Sequence, residues 1–230
     1  MKPKLLLIFP FVLLFFAACK KGGTVTPLTS KVTISGTEYA TVKIGRQEWT
    51  SVNYNGPGGR EAVFNIPTDP NYKKYYTLAD LAELKLPSGW RIPNIADYNK
   101  LMSNFTTKKD TDGNYVGDYE QTLALRSATG WEVRSAEDKQ GTNSSGFNAF
   151  PAGYYTDYKD NETPGNLALF LTSTPLPPGK ANVHASYYSF IVTRLYVTPS
   201  SDDFTHCFSC FLGQGLNNNQ PKSVRFVRDF

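Results

Sequence analysis

The stretch Pro87-Ser-Gly-Trp-Arg-Ile-Pro-Asn-Ile-Ala-Asp-Tyr-Asn-Lys-Leu101 constrains the fold more than any other part of the chain. Gly89 permits a tight turn, and Pro93 keeps Ile92 out of the helical region. Asn94 can then accept from the first free amides of the helix it starts, while Asp97 places negative charge in that helix's first turn. Ile95, Tyr98, Leu101, Met102 and Phe105 recur at helical spacing, so one face of the helix is apolar and must be buried.

Lys2 and Lys4 precede an apolar run over residues 5–16, too short to span a bilayer and placed where a secretion signal belongs. Phe16-Ala-Ala-Cys19 follows, with small residues directly before a cysteine. This pattern resembles the lipobox of bacterial lipoproteins, which implies loss of residues 1–18 and lipid attachment at Cys19. The competing reading is an ordinary signal peptide with a cysteine near its cleavage site. Two or three acyl chains hold a protein on a membrane far more firmly than one. Residues 19–31 are rich in Gly, Thr, Ser and Pro and read as a flexible tether reaching about 20 Å, leaving residues 32–230 for the folded domain. The expected location is the bacterial cell envelope, as an outer-membrane lipoprotein facing the periplasm or exposed at the surface.

The remaining length, about 200 residues, fits one domain with a sizeable core. Removing Lys2 and Lys4 lowers the formal charge from +4 to +2, and no Lys/Arg cluster marks a nucleic-acid surface. Richness in Tyr, Phe, Asn, Thr and Gly suits strands and loops.

Tyr39-Ala-Thr-Val-Lys-Ile44 and Gln47-Glu-Trp-Thr-Ser-Val52 are strand-like, and Gly45-Arg46 between them suits a two-residue hairpin. Residues 53–71 read as a long loop, residues 77–84 as a short helix opened by Thr77 and Asp80, and residues 108–119 as an exposed polar segment. Residues 123–131 suggest a short helix or turn that docks Trp131. Later strands are expected over 167–174, 186–197, 206–212 and 223–228. Helices early and strands late predict an α+β fold with a mainly antiparallel sheet.

Val42-Lys-Ile-Gly-Arg-Gln-Glu-Trp-Thr50, Gly89-Trp-Arg-Ile-Pro93, Ala124-Leu-Arg-Ser-Ala-Thr-Gly-Trp131, the glycine-punctuated residues 141–153 and Ser223-Val-Arg-Phe-Val-Arg-Asp229 occur in this order along nearly all of the mature chain. They resemble the successive blocks of the Fibrobacter succinogenes major paralogous domain family. That family resembles the C-type-lectin-like and formylglycine-generating-enzyme folds, which implies two helices flanking a long-looped antiparallel sheet. Its members are typically secreted or lipid-anchored and carry no assigned activity, so the resemblance implies fold and compartment more than function. Phe226 stands where the family usually shows Cys.

With Cys19 acylated, Cys207 and Cys210 remain in His206-Cys-Phe-Ser-Cys210. In an oxidising compartment the pair is most simply a disulfide, although the spacing closes a small loop. A thiol-oxidoreductase site would place the first cysteine at a helix N-terminus, whereas Phe204, Phe208 and Phe211 suggest a strand. Zinc would need more ligands than His184 and His206 can add. The likeness to formylglycine-generating enzymes implies a third use of the two cysteines, copper binding and oxygen activation, at a closer spacing than those enzymes use. Asp110-Thr-Asp-Gly-Asn114 and Asn217-Asn-Asn-Gln-Pro-Lys222 are each inadequate as calcium loops, the first for its early glycine and missing Glu, the second for Lys222.

Tyr75-Tyr76, Tyr154-Tyr155 and Tyr187-Tyr188 would each put one ring on either side of a strand, and Asn143 and Asn148 add amides nearby. Tyr154, Tyr155, Asn143, Asn148, Tyr187 and Tyr188 are therefore the candidate ligand-binding residues, weighed against the ordinary role of Tyr in half-buried sheets. Trp49, Trp90 and Trp131 read as core anchors, Arg91 and Arg225 as structural partners of carboxylates or carbonyls, and Glu48, Asp80 and Asp97 as surface or capping groups. No catalytic residue, metal site or cofactor is assigned. The reading is a lipid-anchored envelope protein of noncatalytic binding or adhesion, with a glycan or envelope protein as partner. A structural or assembly subunit is the alternative, and a copper- or thiol-dependent oxidase using Cys207 and Cys210 the second.

Overall fold

Asn94 and Asp97 start the first α-helix by exchanging hydrogen bonds: the Asn94 side chain accepts from the Asp97 amide at 3.0 Å, and the Asp97 carboxylate accepts from the Asn94 amide at 3.0 Å. Each bond satisfies an amide that the helix itself leaves orphaned. The helix, α1 (Ile95–Met102), buries Tyr98, Leu101 and Met102 completely, with Ile95 and Phe105 packed at the margin of the same cluster. The computed structural model describes residues 30–61, 72–134, 138–155, 164–177, 187–197, 208–213 and 220–230.

Ahead of α1 lie β1 (Ser30–Ile34), β2 (Thr37–Ile44), β3 (Gln47–Thr50), β4 (Arg60–Glu61) and β5 (Lys74–Tyr75). After it come α2 (Tyr119–Leu125), β6 (Leu167–Pro175), β7 (Tyr187–Val197), β8 (Phe208–Gly213) and β9 (Val227–Asp229). The architecture is α+β, with every ladder between these strands antiparallel: one sheet ordered β1-β2-β3-β9, one ordered β6-β7-β8, and the β4-β5 pair. The predicted hairpin is present, since Ile44 pairs with Gln47 across Gly45-Arg46 and Gly45 takes φ +58°. That positive φ is what a two-residue turn needs to match the twist of its strands.

The core is a chain of aromatic rings. Trp49 lies 5.2 Å from Tyr98 and 5.5 Å from Phe147, and Tyr98 stacks on Phe190 at 4.3 Å. Phe147 meets Phe170 edge-on at 5.5 Å. Trp49, Trp90 and Trp131 are all buried, in keeping with their reading as anchors.

Several sequence expectations need correction. Residues 77–84 form only a 3-10 turn at Ala79–Leu81: Thr77 and Asp80 exchange the expected capping bonds, the Thr77 amide donating to Asp80 Oδ2 at 2.7 Å and the Asp80 amide to Thr77 Oγ1 at 3.2 Å, but the amides of Leu81, Ala82 and Leu84 then donate three residues back, not four. Residues 108–119 are not simply exposed: Asn114, Val116 and Tyr119 are buried, and Asp118 caps α2 by a second reciprocal pair with Gln121. The last strand is β9 alone, since residues 223–226 send their hydrogen bonds to Thr50, Tyr54 and β6 and form no regular ladder. Tyr75 and Tyr76 do divide between two sides, Tyr75 packing with Tyr72, Phe150 and Ala152 and Tyr76 with Tyr39, Tyr54 and Phe226, but both are fully buried and neither ring faces solvent.

Glu48 is the largest departure. Expected at the surface or in a cap, it is 1% exposed, and its Oε1 accepts from the hydroxyls of Ser30 and, at 2.6 Å, Thr41. Arg228 donates to Oε2 from Nε at 2.8 Å and pairs through Nη2 at 2.6 Å, so the carboxylate joins β1, β2 and β9. Burial pushes the Glu48 carboxyl up, but the hydrogen bonds from Ser30, Thr41 and Arg228 and the Arg228 charge outweigh it and leave it below the usual carboxylate range. A group whose folded value is depressed adds stability above its unfolded value and loses it as pH falls through the folded one. Urea titrations should therefore show that Glu48→Gln lowers stability at neutral pH and flattens the loss below the ordinary glutamate value of 4.5. Acid limbs that stay parallel would contradict this.

Asp97 carries a heavier duty than its cap. It is 3% exposed, accepts from Gln47 Nε2 at 3.0 Å and pairs with the Arg91 guanidinium. In chemical denaturation, Asn94→Ala should cost about 1 kcal/mol. Asp97→Ala should cost about 2–3 kcal/mol, because besides the cap it leaves the buried Gln47 Nε2 unpaired and takes from Arg91 one of its two carboxylate partners, leaving only Asp229. Equal losses would mean that the cap alone matters.

Candidate binding cleft

The residues nominated from the sequence are placed as follows. Asn143 and Asn148 are brought together: Asn143 Oδ1 accepts from the Asn148 amide at 2.9 Å, and Asn148 Nδ2 donates to the Tyr72 hydroxyl at 2.8 Å. Both asparagines hold a left-handed backbone, at φ 49° and 55°, so their amides fix the loop that carries them. Tyr154 is 8% exposed and packed with Leu169 and Ile191, and burial pushes its hydroxyl up. Tyr155 is half-buried, with the Arg60 guanidinium 5.4 Å from its ring centre and Tyr75 at 6.3 Å. Tyr187 opens β7, half-buried and paired in register with Pro175. The Tyr188 side chain, Cys19 and Cys207 lie outside the described residues, and Cys210 is placed only by its backbone, opposite Val192. Among the described residues no group of three or more His, Cys, Asp or Glu is gathered for a metal ion. The Asp110 loop is an ordinary turn in which Oδ1 accepts from the amides of Asp112 and Asn114.

A concavity of about 410 Å³ lies elsewhere, between the 54–58 loop and the segment that follows the 3-10 turn. Its buried floor is Tyr54 and Leu81, and Pro57, Asp80, Glu83 and Lys85 stand exposed around it. The Tyr54 amide donates to Val224 O at 2.9 Å, and the ring is wedged between Tyr39 at 5.7 Å and Tyr76 at 5.0 Å, edge-on to Phe226 at 5.3 Å. Phe226 thus serves as a wall for this ring. Gly56 has to be glycine here, because a Cβ would sit 2.4 Å from the Tyr54 hydroxyl oxygen.

The three tyrosines of this wedge differ in their hydroxyls. Tyr39 donates to Asn55 Oδ1 at 2.9 Å and Tyr76 donates to Gly56 O at 2.8 Å, fixing the loop. Burial pushes both hydroxyls up, so each stays protonated as a donor. Tyr54 is 1% exposed, and its hydroxyl has no hydrogen-bond partner among the described residues. Asp80 uses Oδ2 for Thr77, while Oδ1, the Glu83 carboxylate and the Lys85 ammonium are uncommitted among the described residues. The arrangement offers donors and acceptors beside the Leu81 and Leu84 side chains, which is what recognition of a polar molecule with an apolar face requires.

None of these cleft residues was nominated from the sequence. Asp80 was read as a cap, which it is, and Tyr54 was one residue of a loop. The available signal was the glycine density of Tyr54-Asn-Gly-Pro-Gly-Gly59, which marks close approach of backbone to a neighbouring side chain.

An unsatisfied buried hydroxyl costs about 1–3 kcal/mol, so Tyr54→Phe should raise the thermal midpoint of the free protein. A lowered midpoint would show that the hydroxyl is already satisfied.

No curated protein and no solved structure matches the chain. The family model described as the Fibrobacter succinogenes major domain matches residues 42–228, which takes in β3, both helices and most of β9. The chain belongs to the Fibrobacter succinogenes major domain family.

Proposed function

We propose that this protein is a lipid-anchored, noncatalytic binding protein of the bacterial envelope, with a C-type-lectin-like fold and a glycan or other envelope component as its ligand. The observation that carries the binding reading is the cleft over Tyr54, a concavity of about 410 Å³ around which Asp80 Oδ1, the Glu83 carboxylate and the Lys85 ammonium stand uncommitted among the described residues. Two helices with mostly antiparallel sheets and long connections support the lectin-like assignment. The anchor rests on Lys2, Lys4, the apolar run to Phe16 and Cys19; the tether would then deliver the chain to β1 at Ser30. No helix among the described residues is long and apolar enough to cross a membrane.

Two measurements test the proposal. In cells fed radiolabelled palmitate, the chain should take up label and fractionate with outer membranes, and Cys19→Ser should lose both properties. An unlabelled wild-type chain would overturn the anchor. The detergent-solubilised full chain should bind washed envelopes saturably, and the Asp80→Asn/Glu83→Gln double variant should lose about tenfold in affinity. Non-saturable binding, or equal binding by the variant, would overturn the role of the cleft.

A further inference from the structure

The sheet ordered β1-β2-β3-β9 treats its two margins differently. Beyond β9, Arg91 closes the edge by exchanging both backbone bonds with Val227, at 2.9 and 3.1 Å. β6 is likewise covered on its outer side, where Leu167 O accepts from the Gly153 amide and the Leu171 amide donates to Ser223 O. β1 has no such cover. Ser35 and Gly36, at φ 51° and 80°, make the two-residue turn into β2, so the closing pair Ile34 and Thr37 exchanges both its bonds, and so do Val32 with Tyr39 and Ser30 with Thr41. The amides and carbonyls of Lys31 and Thr33 therefore point away from β2. Ala40, opposite Lys31, turns the other way and accepts from the Ser51 amide. Lys31 and Thr33 are exposed, and these outward backbone groups have no partner among the described residues.

Proteins blunt such edges with proline, bulges or unanswered charge. β1 pairs with β2 over five residues without a register shift, and its one charged side chain, Lys31, is answered by Glu38 at 2.7 Å. Val32 and Ile34 are already buried inside the domain, so the edge asks for backbone partners and not for an apolar surface.

A second β1 supplies those partners. Laid antiparallel about a two-fold axis at Val32, each Lys31 stands opposite the partner's Thr33, and the two pairs exchange four backbone hydrogen bonds that use every outward group of these residues. Charge selects the same register. Centred on Lys31, the pairing would set two ammonium groups directly opposite each other, which destabilises; centred on Thr33, it would set Lys31 against the turn residue Ser35. Centred on Val32, it places each Lys31 in one row with the partner's Thr33 and the partner's Glu38, because Thr33 pairs with Glu38 between β1 and β2. The two Ser30 residues then lie within about 15 Å of each other, which suits two anchors of the kind proposed above in one membrane, although the pairing stands without them.

We infer that two copies of the chain pair through their β1 edges, joining their four-stranded sheets into one antiparallel sheet. Backbone bonds with little apolar burial make this a reversible contact.

Sedimentation velocity on the full chain in detergent, with micelles in excess and protein from about 1 μM to about 1 mM, tests this. Wild type should pass from monomer to dimer within that range, and the Lys31 and Thr33 amides should exchange with solvent more slowly as the dimer forms. Thr33→Pro removes an outward donor that β1 does not share with β2, so it should weaken the dimer about tenfold or more and leave the thermal midpoint unchanged. Lys31→Glu sets like charge beside the partner's Glu38 and leaves the backbone alone; it should weaken the dimer about threefold, and it decides the matter if Thr33→Pro lowers the midpoint. A monomer at every concentration, or a dimer that neither variant weakens, would overturn the inference. So would Lys31 and Thr33 amides already protected in the monomer, since the chain's own residues would then cover the edge.

Discussion

The Arg225 guanidinium, fully buried between Phe147 and Phe170, ties together parts of the chain that would otherwise have no reason to meet. Nη1 donates to Thr50 O at 2.7 Å and Phe147 O at 2.9 Å, Nη2 to Asn148 O at 2.9 Å, and Nε to Asn53 Oδ1 at 2.7 Å. Burial pulls its pKa down to about 10, which leaves it charged at neutral pH, and four neutral acceptors take up that charge without a carboxylate. Lysine could not replace it, since one ammonium cannot spread over acceptors set in a fork. Around it Asn53 Nδ2 donates to Ser223 Oγ at 3.0 Å, and the Thr50 and Tyr54 amides donate to Phe226 O and Val224 O. The end of the first sheet, the Asn143–Asn148 loop and the C-terminal segment are fixed as one unit, and Tyr54 inherits its position from it.

The cleft follows the opposite rule. Around Arg225 four of the five guanidinium N–H donors are matched by protein acceptors. Over Tyr54, one loop edge is pinned by Tyr39, Tyr76 and Lys74, whose Nζ donates to Gly56 O at 2.8 Å, while Asp80 Oδ1, Glu83 and Lys85 around the concavity are left uncommitted among the described residues. A loop edge pinned in this way loses little conformational entropy on binding, which is the physical basis of a preorganised site.

What was legible in the sequence was local. The Asn94 cap, the Gly45 hairpin and the apolar face of α1 depend on residues within a turn or two of each other, and each was found where its spacing put it. Arg91 and Arg225 were also read correctly as structural, because a lone arginine among strand residues needs acceptors wherever it lands. Glu48 was misplaced because what buries it is Arg228, far along the chain, and no local pattern announces that pairing. The same holds for Tyr75, whose hydroxyl reaches Ala152 O at 2.6 Å, and for the cleft, whose two walls are joined only once Val224 and Phe226 have set Tyr54. Asn143 and Asn148 were singled out for their amides, and the structure shows those amides holding a loop and its neighbour Tyr72.

The central claim is that recognition happens over Tyr54 and not on the tyrosine- and asparagine-bearing surface near residues 143–155. Amide hydrogen exchange on the full chain, with and without a saturating envelope glycan, tests it most directly. The account predicts added protection confined to residues 54–58 and 80–85, with the Arg225-bound segment already slow in the free protein. Protection that appears instead at residues 143–148 or 154–155 would contradict it and return the site to the asparagine loop.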